Sequence, residues 1–309
     1  MRFSDTSQQR SGELNEIDIT FQEYQAEARR FVQWESSQEL MVPLLGLAGE
    51  TGQLLTEYKK WLRDGDRYTP FVDQVSEELG DILWYISALA SSSGLGLGDI
   101  ANENLAKIRD RWGEEKAPRL FEAHGFDDAF PDTEQLPNEL NIEFRNVIHE
   151  GRCKTVIIVD GEQCGDPLTD NAHAADGYRF HDVFHFAYAV VLGWSPLVRQ
   201  LLGRKRKSDA QVDEVEDGAR AIFLEEGISA MVFEFAKDYA FFDGAATVDF
   251  ELLKTIRVMT RGLEICSAPH SEWQKAILAG YEAWRPLAKN GEGVLKGCRR
   301  SQTLTYSSL

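Results

Sequence analysis

The sequence predicts a mainly α-helical protein with two parts: a helical bundle, and a second helical domain that a β-hairpin precedes. First, apolar residues recur at three- and four-residue spacing over residues 21–112, which is typical of amphipathic helices. Second, an acidic stretch with several prolines at 114–137 interrupts this spacing. Third, two strand-like segments follow, and helical spacing then resumes and continues to residue 287.

Four helices with short connections are predicted for residues 18–113, as expected of a helical bundle. The first starts at Phe21 and the second near Pro43, because proline suits a first helical turn. The third, at 70–91, carries a stripe of apolar residues, and the fourth covers 99–112 after a loop of small residues. The stripe consists of Val72, Val75, Leu79, Ile82, Ile86 and Leu89.

The rest of the chain is predicted to divide into a linker at 114–138, a second domain at 139–290 and a flexible tail at 291–309. The linker follows from its prolines, and the tail from its glycines and serines at a chain end. The second domain is expected to hold strands at 141–148 and 154–160, and helices at 178–202, 209–238, 250–266 and 271–287.

The composition is that of an ordinary globular protein, with 43% hydrophobic and 27% charged residues. No apolar run is long enough to span a membrane and no signal peptide is recognisable, so a cytoplasmic protein is expected. The net charge of −18 argues against nucleic acid as a partner. A nucleotide would bind only if divalent cations neutralised both partners. The four cysteines lack zinc-finger spacing and are expected to be reduced and non-catalytic.

Acidic and amide side chains form two rows, one on the second predicted helix and one on the third. Spacings of three and four residues keep most of each row on one helix face. If the two helices pack antiparallel, the rows face each other, and their oxygens suit octahedral Mg²⁺. A metal ion there would neutralise phosphate oxygens and activate a water for hydrolysis. Spacing alone equally allows a solvated acidic surface. The rows are Glu50, Gln53 and Glu57, and Glu77, Glu78 and Asp81.

Three segments resemble the MazG-like all-α nucleoside triphosphate pyrophosphohydrolases: GLAGETGQLL at 46–55, EELGDILWYISALA at 77–90, and NENLAKIRDRW at 102–112. The resemblance covers roughly residues 20–112. It implies a Mg²⁺ cofactor, for which Mn²⁺ can substitute, and a carboxylate, Glu77 or Glu57, that orients the attacking water. The implied metal ligands are Glu50, Gln53, Glu78 and Asp81, and the implied catalytic residues are Glu50, Glu77, Glu78 and Asp81.

The same resemblance implies a substrate site and an assembly. Asn104, Lys107 and Arg111 match the stretch that contacts nucleotide phosphates, and Lys60 is a further candidate for substrate binding. Members of the family commonly dimerise, so the resemblance implies a homodimer or higher homo-oligomer, or else an internal pairing with the second half of the chain. Candidates for stacking on the base are Trp34, Trp61 and Trp84.

Gln53 departs from the family pattern, which has an acid at this position. An amide can ligate a metal through its carbonyl oxygen, but it contributes no charge, so metal affinity should fall unless Glu57 takes its place. The resemblance therefore allows a slower enzyme, a single-metal enzyme, or a nucleotide-binding relic.

The segment YRFHDVFHFAYA offers a second candidate site. Its two histidines are four residues apart on one helix face with an aspartate between them, a spacing that can bind a metal. The next long helix carries two adjacent glutamates. The alternative is that the histidines are half-buried and hydrogen-bond these acids for packing. This half also resembles a C-terminal extension of some MazG-like proteins. The candidate residues are His181, Asp182, His185, Glu225 and Glu226.

Three functions are consistent with these features. The first is hydrolysis of a nucleoside triphosphate, or a related nucleotide, to the monophosphate and pyrophosphate. The second is a nucleotide-binding sensor or regulatory protein with weak or no turnover. The third is a metal-dependent phosphohydrolase whose chemistry lies at the histidine site. The basic segment 203–209 is interpreted as a solvated loop, with a phosphate or nucleic-acid contact as the alternative.

Overall fold

The structure, a computed structural model, describes residues 19–112, 125–149 and 151–309. The chain divides into two compact units, residues 1–107 and 108–309, which are treated separately. The predicted mainly α-helical fold is confirmed. Among the described residues, no helix combines the length and the apolar character needed to cross a membrane.

The first unit consists of α1 (Phe21–Arg29), α2 (Met41–Asp64), α3 (Phe71–Ser92) and most of α4 (Leu97–Trp112). Helix α1 starts with a capping box, in which Thr20 accepts a hydrogen bond from the amide of Glu23 and the Glu23 carboxylate accepts one from the amide of Thr20. Helix α2 ends at Gly65, whose φ of 60° favours glycine. The four predicted helices are therefore present.

Helices α2 and α3 pack side by side and run antiparallel. Gly46, near the start of α2, meets the ring of Tyr85 near the end of α3, while Trp61 stacks on Phe71 at the opposite ends with ring centroids 5.4 Å apart. A Cβ atom at Gly46 would lie 2.2 Å from the Tyr85 ring. Glycine at this position therefore allows the close approach of the two helices.

The apolar stripe predicted on α3 is only partly buried. Val72, Leu79 and Ile86 are 61%, 51% and 37% exposed. They recur every seven residues, so they share a face of the helix. Helix α2 also exposes Leu55 and Leu62. The sequence indicated an amphipathic helix correctly, but these three positions of the stripe are exposed.

The second unit contains an antiparallel sheet of five strands within the described residues, in the order β3-β2-β1-β4-β5. The predicted hairpin is β1 and β2, whose register pairs Phe144 with Ile157. The strands are β1 (Glu139–His149), β2 (Arg152–Val159), β3 (Glu162–Leu168), β4 (Gly293–Cys298) and β5 (Thr303–Ser307).

The prediction of a flexible tail at 291–309 is wrong. This segment forms β4 and β5, and β4 pairs with β1 so that Ile142 lies opposite Leu295. Both of these side chains are fully buried. Strand β4 is short and is stabilised by β1, about 150 residues earlier in the chain, and β5 then pairs with β4. Local composition does not reveal the distant partner.

Two predicted helices of the second unit, at 178–202 and 209–238, are interrupted at glycines. Within the predicted helix at 178–202, a π-helical turn ends at Gly193, whose φ is 67°. A new helix begins after Ser195, which caps it. At Gly218, a Cβ atom would lie 1.9 Å from the carbonyl oxygen of Glu214. The helices are α5 (Asp182–Ala187), α6 (Pro196–Leu201), α7 (Ala210–Val215), α8 (Ala219–Lys237), α9 (Phe250–Met259) and α10 (His270–Asn290).

The core of the second unit lies between α10, α5 and the sheet. Helix α10 contacts α5, the π-helical turn, β4 and β5. Tyr281 and Trp284 of α10 lie against the ring of Phe184 on α5, with centroids 4.6 and 6.5 Å from it. This packing fixes the residues of α5, on which the candidate histidine site depends.

Part of the predicted linker is packed into the second unit. Asp127 is 1% exposed and accepts hydrogen bonds from Arg199, Arg299 and the amide of Leu136 at 2.8, 3.1 and 2.7 Å. Residues 125–138 are therefore structural rather than a spacer, and the rest of the predicted linker, 114–124, lies outside the described residues.

The basic segment 203–209 is not simply a solvated loop. Arg206 is buried, and its guanidinium binds the carboxylates of Asp217 and Glu264, each at 2.7 Å from Nη2. Arg206, one of the basic residues considered for a phosphate contact, therefore already has two carboxylate partners inside the protein.

Candidate functional site

The first candidate site is formed where α2 and α3 bring two carboxylates together. Glu50, on α2, and Glu78, on α3, lie within hydrogen-bonding contact of each other. The antiparallel packing described above makes this possible, because it places the middle of α2 opposite the first half of α3. Glu78 is only 8% exposed, whereas Glu50 is half-buried. The two predicted acidic rows therefore meet at these residues.

Three further predicted residues surround this pair. Gln53 donates a hydrogen bond from Nε2 to Oε2 of Glu50 at 2.6 Å. Asp81 and Glu77, both exposed on α3, are close enough for their charges to act on Glu78. Asp81 also lies near Tyr24 of α1, whose pKa is raised by burial and by that carboxylate. Tyr24 was not predicted, because a tyrosine at helical spacing carries no signal of a polar neighbour.

The electrostatics of this cluster favour a cation. Burial raises the pKa of Glu78, and the neighbouring carboxylates of Glu50, Asp81 and Glu77 raise it further. Within the described part of the chain, no lysine or arginine forms an ion pair with Glu50, Glu78 or Asp81. Like charges at a partly buried position are costly unless one is protonated or a cation joins them.

This donor set fits a hard divalent ion such as Mg²⁺. Carboxylate oxygens from two helices converge, and the buried one has acidic neighbours rather than a basic partner. The amide of Gln53 turns its nitrogen to Glu50, so its carbonyl oxygen is left as a neutral donor. The side chains that would hold the ion are those of Glu50, Glu78 and Asp81, with Gln53 beside them. Among the described residues, however, only His181, Asp182 and His185 place three donor atoms within 4.8 Å of one another.

Glu57 and Lys60 are engaged with each other on α2. Lys60 donates to Oε1 of Glu57 at 2.7 Å, and the hydroxyl of Tyr68 donates to Oε2. Both hydrogen bonds lower the pKa of Glu57, and the one from Lys60 has the larger effect. Both carboxylate oxygens of Glu57 thus have protein partners, which makes this residue a poor replacement for the missing acid at position 53. Tyr68, in the turn after α2, was not predicted.

The predicted phosphate contacts lie on α4. Asn104 and Lys107 are exposed on this helix, and the described hydrogen bonds and ion pairs link neither of them to the carboxylates of α2 and α3. The side chain of Arg111 lies outside the described residues. Of the tryptophans, Trp34 and Trp84 meet edge to face, with centroids 5.3 Å apart, and Trp61 stacks between Tyr58 and Phe71.

The second candidate site lies in the second unit, at the start of α5 and the middle of α8. Its five predicted residues are brought together. His181 Nε2 lies 3.0 Å from Asp182 Oδ1 and 3.8 Å from Glu226 Oε2. His185 Nε2 lies 3.5 Å from the same Glu226 oxygen. The ring of Tyr178, which the sequence did not single out, stacks on His181 with centroids 4.5 Å apart.

His185 and Glu225 form the buried side of this site. His185 is fully buried, and its Nδ1 lies 2.8 Å from Oε1 of Glu225, which is also buried. Burial lowers the pKa of His185, but the Glu225 carboxylate, with help from Glu226 and Asp182, outweighs it and raises the pKa to about 10. A buried imidazole is therefore set among carboxylates from two helices.

Comparison with known proteins agrees with this division of the chain. Residues 38–113 match the family model described as the MazG nucleotide pyrophosphohydrolase domain, and residues 121–309 match the MazG C-terminal domain. The Gene 37 protein of Mycobacterium phage L5 is 34% identical over 79 residues, which are 25% of this chain and 69% of that protein. No solved structure gives a significant match.

Both family models agree with the resemblance seen in the sequence, and together they cover the acidic cluster of α2 and α3 and the histidine cluster of α5 and α8. The chain therefore belongs to the MazG family of nucleotide pyrophosphohydrolases, and it joins a pyrophosphohydrolase domain to a MazG C-terminal domain.

Proposed function

We propose that the first unit hydrolyses a nucleoside triphosphate, or a related nucleotide, to the monophosphate and pyrophosphate, with Mg²⁺ as cofactor and Mn²⁺ as its substitute. The observation that carries this proposal is the contact between the buried Glu78 and Glu50, which have acidic neighbours and no described basic partner. When bound, the metal would neutralise phosphate oxygens and acidify a water. An acidic protein that hydrolyses a phosphoanhydride needs a cation for both of these tasks.

The roles proposed for the side chains combine these positions with the resemblance to the family. Glu50, Glu78 and Asp81 hold the ion. Glu77 is exposed beside them on α3 and accepts a hydrogen bond from Gln74 through Oε2. It is proposed to orient the attacking water or accept its proton through the other oxygen. Lys107 and Arg111 of α4 are proposed to balance the negative charge that develops on the phosphates, and Asn104 to hydrogen-bond them. Lys60 is held by Glu57, so it reaches a phosphate only if it leaves that ion pair.

The test is a product analysis of the whole protein with Glu78→Gln. Purified protein is incubated with Mg²⁺ and each of the common nucleoside triphosphates, and products are separated by ion chromatography. We expect monophosphate and pyrophosphate from the wild type, and at least about a hundredfold lower turnover from the variant, since an essential metal ligand is lost. Asp66→Asn, which neutralises an exposed acid in the turn after α2, is the matched control and should keep full activity. Full activity of Glu78→Gln would refute the proposal.

A nucleotide-binding sensor is the second candidate function, because the amide of Gln53 stands where the family has an acid. This amide bonds to Glu50 and adds no charge to the metal site. The same experiment separates the two functions: a sensor would bind a nucleotide, as measured by calorimetry, without releasing products. If the Gln53→Glu variant raises turnover or metal affinity, the amide limits this protein; no gain would show that it does not.

We further propose that the first unit acts as a homodimer or higher homo-oligomer. The support is the exposed apolar face of α3, formed by Val72, Leu79 and Ile86, together with Leu55 and Leu62 of α2. Clustered exposed apolar side chains of this kind are typical of an interface. A second copy of the chain offers the same face, as the symmetry of a homodimer requires.

A further inference from the structure

We propose that the second unit binds one divalent transition-metal ion through His181, Asp182, His185 and Glu226. This site is separate from the carboxylates of α2 and α3 and goes beyond the nucleotide hydrolysis proposed for the first unit. Two imidazoles and two carboxylates are a donor set that suits Mn²⁺, Fe²⁺, Co²⁺ or Zn²⁺ better than Mg²⁺, which prefers oxygen alone.

The spacing of the donor atoms is that of ligands around one ion. One donor atom from each of His181, Asp182 and His185 lies within 4.8 Å of the others, and Glu226 adds an oxygen 3.5 and 3.8 Å from the two imidazole nitrogens. Metal bonds of about 2.1 Å place neighbouring ligands about 3.0 Å apart in an octahedron and about 3.4 Å apart in a tetrahedron. Small side-chain adjustments therefore suffice to bind the ion.

Each histidine is also oriented as a metal ligand is. His181 Nδ1 lies 2.9 Å from the carbonyl oxygen of Tyr178, and His185 Nδ1 lies 2.8 Å from Glu225. Partners of this kind fix the ring and leave Nε2 for the metal. Glu225 is itself held, because Ser195 Oγ and the amide of Leu197 donate to it at 2.6 and 2.9 Å. Glu225 is thus a positioning residue rather than a ligand.

The strongest single observation is the Nε2 atom of His185. This atom is buried, and within the described part of the chain it makes no hydrogen bond, although buried polar atoms nearly always have one. The nearest acidic oxygen, Oε2 of Glu226, lies 3.5 Å away, which is close enough for an ion pair but longer than a usual hydrogen bond. The side chain of Glu226 is 39% exposed, so the ion can enter from this side.

The proposal is tested by titrating the full-length, chelator-treated protein with Co²⁺, followed by visible absorption and by metal analysis after gel filtration. The Glu78→Gln substitution is present throughout, so that metal binding by the first unit does not dominate the signal. His181→Gln, His185→Gln, Glu225→Gln and Glu226→Gln are compared with His173→Gln, which replaces an exposed histidine of the same unit and serves as the matched control.

We expect one bound Co²⁺ with an absorption band typical of imidazole ligation, unchanged in His173→Gln. His181→Gln and His185→Gln should lower the affinity by more than about a hundredfold, and Glu225→Gln by about ten- to a hundredfold, because it acts through His185. Circular dichroism checks the fold of each variant. If His185→Gln does not fold, His181→Gln and Glu226→Gln decide, since both side chains are partly exposed. Equal Co²⁺ binding by these variants and His173→Gln, or no imidazole-ligated Co²⁺ at all, would overturn the proposal.

Discussion

At the scale of single residues, two buried acids show how surroundings determine what a carboxylate does. Glu78 lies against Glu50 and near two other acids, so its charged form is disfavoured and a cation would stabilise it. Asp127 is buried to a similar degree, but two arginines and an amide surround it. The first is suited to binding an ion from outside, and the second is already neutralised by the protein itself.

The pairing of Asp127 leads to a prediction about acid stability. Burial raises the pKa of Asp127, but Arg299, the amide of Leu136 and Arg199 outweigh burial and hold the pKa below the usual 3.8. The contribution of the Asp127 carboxylate to the free energy of unfolding is therefore complete above its usual pKa. It is lost as the pH falls through the lowered pKa of the folded protein. We expect Asp127→Asn to cost about 3–5 kcal/mol at pH 7, because it leaves buried arginines short of charge.

Denaturant unfolding of wild type and Asp127→Asn, measured at several pH values, tests this. The free-energy difference between the two proteins should be constant between neutral pH and about pH 5, and should shrink in stronger acid. Asp128→Asn, the neighbouring exposed acid, is the control. A difference that does not change in acid would contradict the role assigned to the Asp127 carboxylate.

At the scale of elements, the close contact of α2 and α3 depends on Gly46. A methyl group there would lie 2.2 Å from the Tyr85 ring, whereas at Gly49, one turn further on, no neighbouring atom lies within 4 Å. We expect Gly49→Ala to stabilise the protein by about 0.5–1 kcal/mol through helix propensity. Gly46→Ala should instead destabilise it by about 1–3 kcal/mol, because the ring must leave its place.

Thermal unfolding of both variants decides between these effects. The Tyr85→Ala background provides the check, since removal of the ring should make Gly46→Ala as favourable as Gly49→Ala. Equal stabilisation by the two alanines in the presence of Tyr85 would show that the helices do not need glycine at position 46. The same contact positions Glu50 opposite Glu78, so a loss of metal affinity should accompany the clash.

The elements also show where local sequence is sufficient. The helices of the first unit were predicted because apolar spacing and end signals such as Gly65 act within a few residues. The predicted helices at 178–202 and 209–238 were too long, because Gly193 and Gly218 break them for reasons of backbone geometry and close packing. Strand β4 was missed because its partner β1 is distant in the sequence, and β5 was missed with it because β5 pairs with β4.

At the scale of the whole molecule, the exposed apolar face of α3 predicts self-association. Leu79→Lys places a charge at its centre, where Leu79 is 51% exposed, and should reduce the mass of the assembly to that of one chain of 34.9 kDa. Nucleotide hydrolysis should fall with it if the second copy completes the site. Analytical ultracentrifugation gives the mass.

Val258→Lys is the control for this charge, because Val258 is an exposed apolar residue of α9 in the second unit. It should leave the mass of the assembly unchanged. If the wild type is a monomer at micromolar concentration, or if Leu79→Lys associates as the wild type does, the face of α3 is not the interface.

The sequence by itself determined the helical class, the acidic rows on α2 and α3, and the paired histidines of α5, because each depends on spacing within one helix. Only the tertiary structure decided that Glu50 meets Glu78, that Glu57 is held by Lys60 and Tyr68, and that Glu225 and Glu226 reach the histidines. It also decided that 291–309 completes a sheet and that Arg206 is buried. Most of these features join residues distant in the chain, and their energies come from burial and pairing that no local pattern records.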